Sequence, residues 1–177
     1  MVLLETGRLI VRDVREADFA DFCVFLTDEN TSRMVGRNLT TDVESARRSF
    51  DYFVNKAERG YAIALKQTDK AIGSLTVDNL PPIVAAQEAV QGKKGCALSF
   101  SLSPVYRRRG YMYEAVSAII DRLLHGEGFD FVNCGYFDFN EPSRLLQEKL
   151  GFQHLVTYPN PFDDEKFMIV DNILWRE

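Results

Sequence analysis

The sequence predicts a single α+β domain over residues 1–177, with helices packed on a mixed sheet. Three observations carry that prediction. Two alternating apolar runs, Tyr61-Ala-Ile-Ala-Leu65 and Ala71-Ile-Gly-Ser-Leu-Thr-Val77, flank a polar Gln67-Thr-Asp-Lys70 turn and read as a hairpin. Segments with apolar residues three and four apart, the mark of amphipathic helices, lie on both sides of that hairpin. The length, 177 residues with 46% hydrophobic and 27% charged, suits one folded core rather than a disordered chain.

Taken in order, Leu9 to Arg12 is a first strand, and Glu16 to Leu26 is a helix carrying Phe19, Phe22, Cys23 and Leu26 at helical spacing. Thr27 to Thr40, rich in Asn, Thr, Arg and Gly, reads as an irregular segment, either a binding loop or a surface excursion. Thr41-x-x-Glu44 is a capping box that opens a second helix, with Val43, Ala46, Phe50, Phe53, Val54 and Ala57 on one face and a stop at Gly60. After the hairpin, Leu80-Pro-Pro-Ile to Gly95 is a long Pro-interrupted connection, either a binding loop or a surface excursion. A short strand, Ser99 to Leu102, runs through Pro104 into the basic turn Arg107-Arg-Arg-Gly110 and then a helix. Met112, Ala115, Val116, Ile119, Ile120, Leu123 and Leu124 form its apolar stripe, and Gly126 is the stop. Asp130 to Tyr136 is a strand, Asn140-Glu-Pro142 starts another helix, and Phe167 to Trp175 is a last strand. There is no internal repeat and no low-complexity tract.

Charge and composition remove several classes. A net charge of −5 disfavours nucleic acid, whose binding face is visibly basic, and suits a cationic acceptor such as an amine. No apolar run approaches membrane-span length, and the N-terminus has neither a signal-peptide core nor a transit pattern. Cys23, Cys96 and Cys134 are scattered and odd in number, which reads as reduced thiols in or near the core of a cytoplasmic protein. A catalytic cysteine needs a base and a metal site needs ligands. With only His125 and His154 in the chain, neither is expected. Neither G-x-x-x-x-G-K-S/T nor G-x-G-x-x-G occurs, so a nucleotide-binding fingerprint is excluded.

The strand–turn–helix from Ser99 to Ile120 is the sharpest feature. The first-turn N–H groups of a helix have no intrahelical partner, and the helix dipole adds partial positive charge there. A glycine in the turn lets the backbone wrap a phosphate, and Arg107, Arg108 and Arg109 add charge at the same place. A solvated helix cap carries the same local signature.

Arg107-x-x-Gly110-x-Met112 resembles the Q/R-x-x-G-x-G/A acyl-CoA signature of the GNAT N-acetyltransferases. Downstream, the strand Asp130 to Tyr136, Asn140-x-x-Ser143-Arg144 and Glu148-Lys-Leu-Gly-Phe152 follow in the family's order. The opening Leu4-Glu-Thr-Gly-Arg8-Leu-Ile-Val-Arg12 with Asp18 resembles the RimJ/RimL-like branch, related to ribosomal-protein N-acetyltransferases. The resemblance runs from Glu5 to Phe152. It implies a GNAT-like fold with a central mixed, mostly antiparallel sheet flanked by helices. It implies acetyl-CoA as co-substrate, with no metal. Two residues depart from the pattern: Met112 stands at the last small position, and Arg108 at a position often Gly in this branch. The signature then requires Met112 to turn its flexible side chain into the core.

Acetyl transfer needs two substrates held together, N–H donors where the oxyanion develops, and an acid for the leaving sulfur. The resemblance implies that the backbone of Phe100, Ser101 and Leu102 runs along the pantetheine arm. It implies that Arg107, Arg108, Arg109, Gly110, Tyr111 and Met112 hold the pyrophosphate, and that Asn140 bonds the CoA arm. Asn140 is equally a helix cap. Many family members place a Tyr acid just before the Glu148-Lys-Leu-Gly-Phe152 stretch, where this chain has Gln147. Ser143 is then the expected acid, although a first-turn serine also bonds its own backbone. No general base stands out, and Glu114 reads as a solvated helix charge. The expected function is transfer of an acetyl group from acetyl-CoA to a primary amine, an N-terminal α-amine slightly ahead of a small-molecule amine. The expected enzyme is a monomer or homodimer with no nucleic-acid or membrane partner. The alternative is a non-catalytic or regulatory module that binds CoA or an acylated ligand on the same fold.

Overall fold

The computed structural model describes residues 1–35, 42–55, 59–161 and 167–177. In chain order the described elements are β1 (Val2–Glu5), β2 (Leu9–Asp13), α1 (Phe19–Leu26), α2 (Glu29–Met34), α3 (Val43–Asn55), β3 (Gly60–Leu65), β4 (Ala71–Asp78), α4 (Pro82–Ala85), β5 (Gly95–Leu102), α5 (Tyr111–Asp121), β6 (Phe131–Phe137), α6 (Glu141–Leu150), β7 (Gln153–Pro159) and β8 (Met168–Trp175). Contacts divide the chain into two compact units, Met1–Val77 with Phe100–Ile119, and Asp78–Ser99 with Ile120–Glu177.

The first unit holds β1-β2-β3-β4 as an antiparallel meander, in register from Leu9↔Leu65 to Asp13↔Tyr61 between β2 and β3. β3 and β4 are buried almost throughout, as central strands should be, with Ser74 and Thr76 as buried polar residues on one face of β4. Their turn places Asp69 at φ 55, a left-handed backbone that Asp tolerates. On this sheet, Phe22, Phe25, Leu26, Ala46, Phe50 and Phe53 from α1 and α3 pack with Ala62 and Ala71. Phe22 and Phe50 meet edge to face at 5.2 Å. Arg12 is buried at 1% exposure, and its guanidinium donates to both carboxylate oxygens of Asp18 (2.8 and 2.9 Å) and to Asp69 (2.7 Å). A buried guanidinium requires such full pairing, which fixes β2 against the 3-10 turn Glu16–Asp18 leading into α1.

In the second unit, the first half of β5 lies parallel to β6, with Gly95↔Phe131 and Ala97↔Asn133. A Cβ on Gly95 would lie 2.1 Å from the Phe131 ring, so that crossing needs glycine. β6 and β7 both pair antiparallel with β8, giving the order β5-β6-β8-β7. Val90, Phe131 and Ile173 form one buried cluster, with Leu80, Leu155 and Trp175 packed against it. α6 is capped by Asn140 and ends at Gly151, which is left-handed at φ 89.

The α+β class and a mixed, mostly antiparallel sheet are therefore as expected, and several elements differ in detail. β1 precedes the first expected strand, and α2 lies inside the segment expected to be irregular. α2 was hidden because Glu29-Asn-Thr-Ser-Arg-Met34 has no apolar stripe; an Asp28 carboxylate accepting the Thr31 N–H (2.7 Å) starts it. Two short helical turns, α4 and Glu88–Val90, interrupt the Leu80–Gly95 connection. Thr41 lies outside the described residues. Asp42 accepts the Ser45 N–H at 2.7 Å and so caps α3. Of the expected apolar face of α3, Ala46, Phe50 and Phe53 are buried, Val43 and Val54 are exposed, and Ala57 lies outside the described residues.

Candidate active site

The basic turn belongs to the first unit. Pro104–Tyr106 form one 3-10 turn after β5, and Arg107 closes it with its N–H on the Pro104 carbonyl (3.2 Å). The backbone then turns left-handed twice, at Arg108 (φ 63) and Gly110 (φ 78). The Gly often found at the Arg108 position in the resembled branch now has a physical cause, since a side chain there is strained. Arg108, Arg109 and Gly110 are exposed, whereas Met112 is buried at 9% exposure, its side chain in the core under α5. Among the described residues, the N–H groups of Arg108, Arg109, Gly110, Tyr111 and Met112 donate to no protein acceptor. That is an open helix N-terminus with two exposed guanidinium groups beside it, suited to an anion.

The Arg107 side chain has other work. Its Nε donates to the Leu102 carbonyl (3.2 Å) and its Nη2 to Thr31 Oγ1 (2.5 Å), with Asp28 at 3.9 Å. Arg107 thus ties the turn to α2, and its charge is already partnered. On β5, burial alternates through Cys96 and Leu98, then changes phase so that Ser101 and Ser103 are the buried residues. Ser101 is 6% exposed, and its Oγ is a buried side-chain oxygen with no partner among the described residues. Such an atom is costly to leave unpaired, and a ligand amide or carbonyl on that strand would satisfy it. Phe100 is half-buried beside it.

Glu114 is not the solvated helix charge expected from the sequence. It accepts from Thr6 Oγ1 (2.6 Å), the Arg8 N–H (2.9 Å) and Arg8 Nε (2.6 Å). Burial pushes its carboxyl upward, but those hydrogen bonds and the Arg8 charge outweigh burial and hold it below its ordinary value. Arg8 in turn donates to the Arg109 carbonyl (3.0 Å) and stacks over the Tyr111 ring at 4.5 Å. Thr6, Arg8 and Glu114 therefore brace the turn, across about a hundred residues of sequence that no local pattern could connect.

Asn140 and Ser143 belong to the second unit, at the start of α6. The Asn140 side chain accepts the Ser143 N–H at 3.2 Å and is 9% exposed. Ser143 is half-buried, and its Oγ accepts from Gln147 Nε2 at 3.1 Å. Gln147 is wholly buried, and its Oε1 accepts from Asn172 Nδ2 at 2.9 Å. Tyr158, another phenol that could supply a proton, donates to buried Asp171 at 2.8 Å. Burial first, and then the Asp171 carboxylate, push that phenol above its ordinary value, so it is a poor acid. Cys96 and Cys134 are buried and form no disulfide, and burial pushes the Cys134 thiol up. Among the described residues, no group of three or more His, Cys, Asp or Glu side chains could hold a metal ion, and no helix is long and apolar enough to cross a membrane.

Comparison with known proteins agrees with this geometry. The acetyltransferase (GNAT) domain family matches residues 8–153, most of the chain, and the chain belongs to that family. Its members move an acetyl group from acetyl-CoA to an amine. The chain is similar to the uncharacterized N-acetyltransferase YoaA of Bacillus subtilis, with 26% identity, 95% of this chain and 96% of the other being covered. Its fold is similar to that of spermidine N-acetyltransferase from Vibrio cholerae, solved with CoA and spermine (TM-score 0.75, 11% identity, 97% of each chain). It is also similar to that of ribosomal-protein-S5-alanine acetyltransferase from Vibrio fischeri (TM-score 0.66, 15% identity, 98% and 96%).

Proposed function

We propose that this acetyltransferase acts on an exposed primary amine, with the N-terminal α-amine of a peptide or protein ahead of small polyamines, in a reducing cytoplasm. The observation that carries the acetyl-CoA half is the open turn: five successive N–H groups with no acceptor among the described residues, at a helix N-terminus. Arg108 to Met112 hold the pyrophosphate, and the Arg108 and Arg109 side chains supply the charge. The Phe100–Leu102 backbone lies along the pantetheine arm, with the unpartnered Ser101 Oγ as a further hydrogen-bonding group. The attacking nitrogen forms its bond to the thioester carbon, the carbon–sulfur bond breaks, and Ser143 gives the departing sulfur a proton.

The acceptor reading rests on chemistry. An α-amine titrates at about 7.7–8.0 and is partly neutral near pH 7, whereas a lysine-like amine at about 10.4 needs a strong base. No general base stands out in the sequence, and two carboxylates among the described residues are engaged elsewhere. Glu114 is committed to Thr6 and Arg8, and Asp171 is buried under Asn133 and Tyr158. The net charge of −5 attracts a cationic partner. Peptides with free N-termini, spermidine and an aminoglycoside, each mixed with acetyl-CoA, test the reading by thiol release and mass spectrometry. Acetylated peptides support it; acetylation of a small amine alone, with inert peptides, overturns it. Release of thiol with none of these amines favours a binding module that does not turn over. Ser143→Ala should lower kcat by about 100-fold while the KM for acetyl-CoA changes little. An unchanged kcat removes Ser143 from the reaction.

A further inference from the structure

We propose that Gln147 is a positioning residue that fixes the direction of the Ser143 hydroxyl proton, with Asn172 fixing Gln147 in turn. The proposal rests on the reading of Ser143 as the acid for the leaving sulfur. Gln147 sits one turn after Ser143 on α6 and is fully buried, a place where an apolar residue would pack without any need for partners. Its two polar atoms are both used. Oε1 accepts from Asn172 Nδ2 at 2.9 Å, and Nε2 donates to Ser143 Oγ at 3.1 Å. Asn172 is itself held on β8, where Asn133 Nδ2 donates to its backbone carbonyl at 3.0 Å.

This chain has a direction. Because Asn172 presents an N–H₂, the end of Gln147 facing it is the oxygen, and the end facing Ser143 is the donor. Ser143 Oγ is therefore an acceptor in that contact and keeps its own proton for another partner. Among the described residues, the hydroxyl gives that proton to no protein atom. As the carbon–sulfur bond breaks, the electron pair goes to sulfur, and sulfur takes the Ser143 proton. The Gln147 N–H bonds the negative charge that grows on Oγ. Oγ then regains, through water, the proton released by the attacking nitrogen, so the reaction balances as amine plus thioester to amide plus thiol. A residue at this position cannot be the acid, but it can direct one.

Two isosteric substitutions reverse the chain without emptying space. In Gln147→Glu, the carboxylate still accepts from Asn172 but can only accept from Ser143. In Asn172→Asp, Gln147 must turn its N–H₂ toward the carboxylate introduced on β8 and its oxygen toward Ser143. In both, the Ser143 proton is drawn back into the protein. Using the amine that the wild-type enzyme acetylates, each variant should lose about tenfold in kcat with the KM for acetyl-CoA nearly unchanged. The Gln147→Glu loss should shrink as pH falls and the buried carboxyl, its pKa raised by burial, becomes a donor again. Neither substitution should lower kcat further in a Ser143→Ala background. A second readout needs no acceptor: the thiolate absorbance of CoA alone, bound to the protein and titrated with pH. Wild type should ionise the bound thiol at lower pH than free CoA, and Ser143→Ala, Gln147→Glu and Asn172→Asp should each remove that shift. If Ser143→Ala removes it and the two chain variants keep it, the positioning role is wrong and Ser143 stands. A further tenfold loss in the Ser143→Ala background also overturns the positioning role. If Ser143→Ala itself keeps both kcat and the thiol shift, the reading of Ser143 falls and the positioning role falls with it.

Discussion

The β5–α5 and β6–α6 junctions are both strands that turn into a helix, yet their helix N-termini are finished in opposite ways. At α6, Asn140 accepts the Ser143 N–H, its carbonyl accepts the Arg144 N–H, the Glu141 N–H goes to Phe139, and Pro142 has no N–H to satisfy. At α5, the N–H groups of Arg108 to Met112 meet no acceptor among the described residues, and the acidic residue of the first turn, Glu114, is taken up by Thr6 and Arg8. The α6 terminus is satisfied from within, so what it offers a substrate is a side chain. The α5 terminus is left open, so what it offers is backbone. Strain follows the same division. The open turn contains two left-handed residues, Arg108 and Gly110, while α6 begins without one.

The largest effect should come from closing the open terminus. Gly110→Val forces a branched side chain into a left-handed backbone and should cost about 2 kcal/mol of stability. It should also abolish the thermal shift that acetyl-CoA gives wild type, about 2.7 kcal/mol at a hundred times the dissociation constant. Gly110→Asn sharpens the comparison, because Asn accepts the left-handed backbone and still blocks close approach. It should melt nearly as wild type does and lose the ligand shift. A full shift in either variant would show that the turn does not hold the ligand.

Glu114→Gln comes next. The folded Glu114 carboxyl lies below its unfolded value of about 4.3, so its stabilisation is complete above that pH and is lost as pH falls through the folded value. At pH 7 the variant should be less stable by about 1–2 kcal/mol, and the difference should vanish in acid. Denaturant unfolding across that range measures it. An unchanged difference at low pH would mean that shape, and not charge, braces the turn. Asn140→Ala removes the α6 cap and should cost about 1 kcal/mol. If it also weakens acetyl-CoA binding, the closed terminus bonds the CoA arm as well as its own helix.

The two junctions were legible to different degrees. The α5 stripe, the glycine of the turn and the Asn140 cap are local patterns, and each appears where the sequence placed it. The left-handed backbone at Arg108 was not legible, because φ is set by the path between two fixed elements. Nor was the burial of Gln147, since one of its two polar contacts comes from β8, 25 residues away. Glu114 was misread because its partners are more than a hundred residues upstream. β1 was missed because a four-residue run has too little alternation to stand apart, and only pairing with β2 makes it a strand.

The smallest effect is the most diagnostic of why the open turn is strained. A left-handed non-glycine residue costs about 1–2 kcal/mol, and glycine gives back about 0.5–1 kcal/mol through the freedom it adds to the unfolded chain. Arg108→Gly should therefore stabilise the protein by about 0.5–1 kcal/mol, a rise of about 1–4 °C in Tm for a chain of this size. Arginine is then the less stable choice at this position, and stability alone does not explain it. What it adds is an exposed guanidinium beside five open N–H groups. If that charge holds the pyrophosphate, Arg108→Gly should melt higher without ligand, bind acetyl-CoA more weakly, and lose part of the salt dependence of binding. A variant that melts higher and binds as tightly as wild type at every salt concentration would leave the guanidinium without a role. The backbone N–H groups would then carry the anion alone.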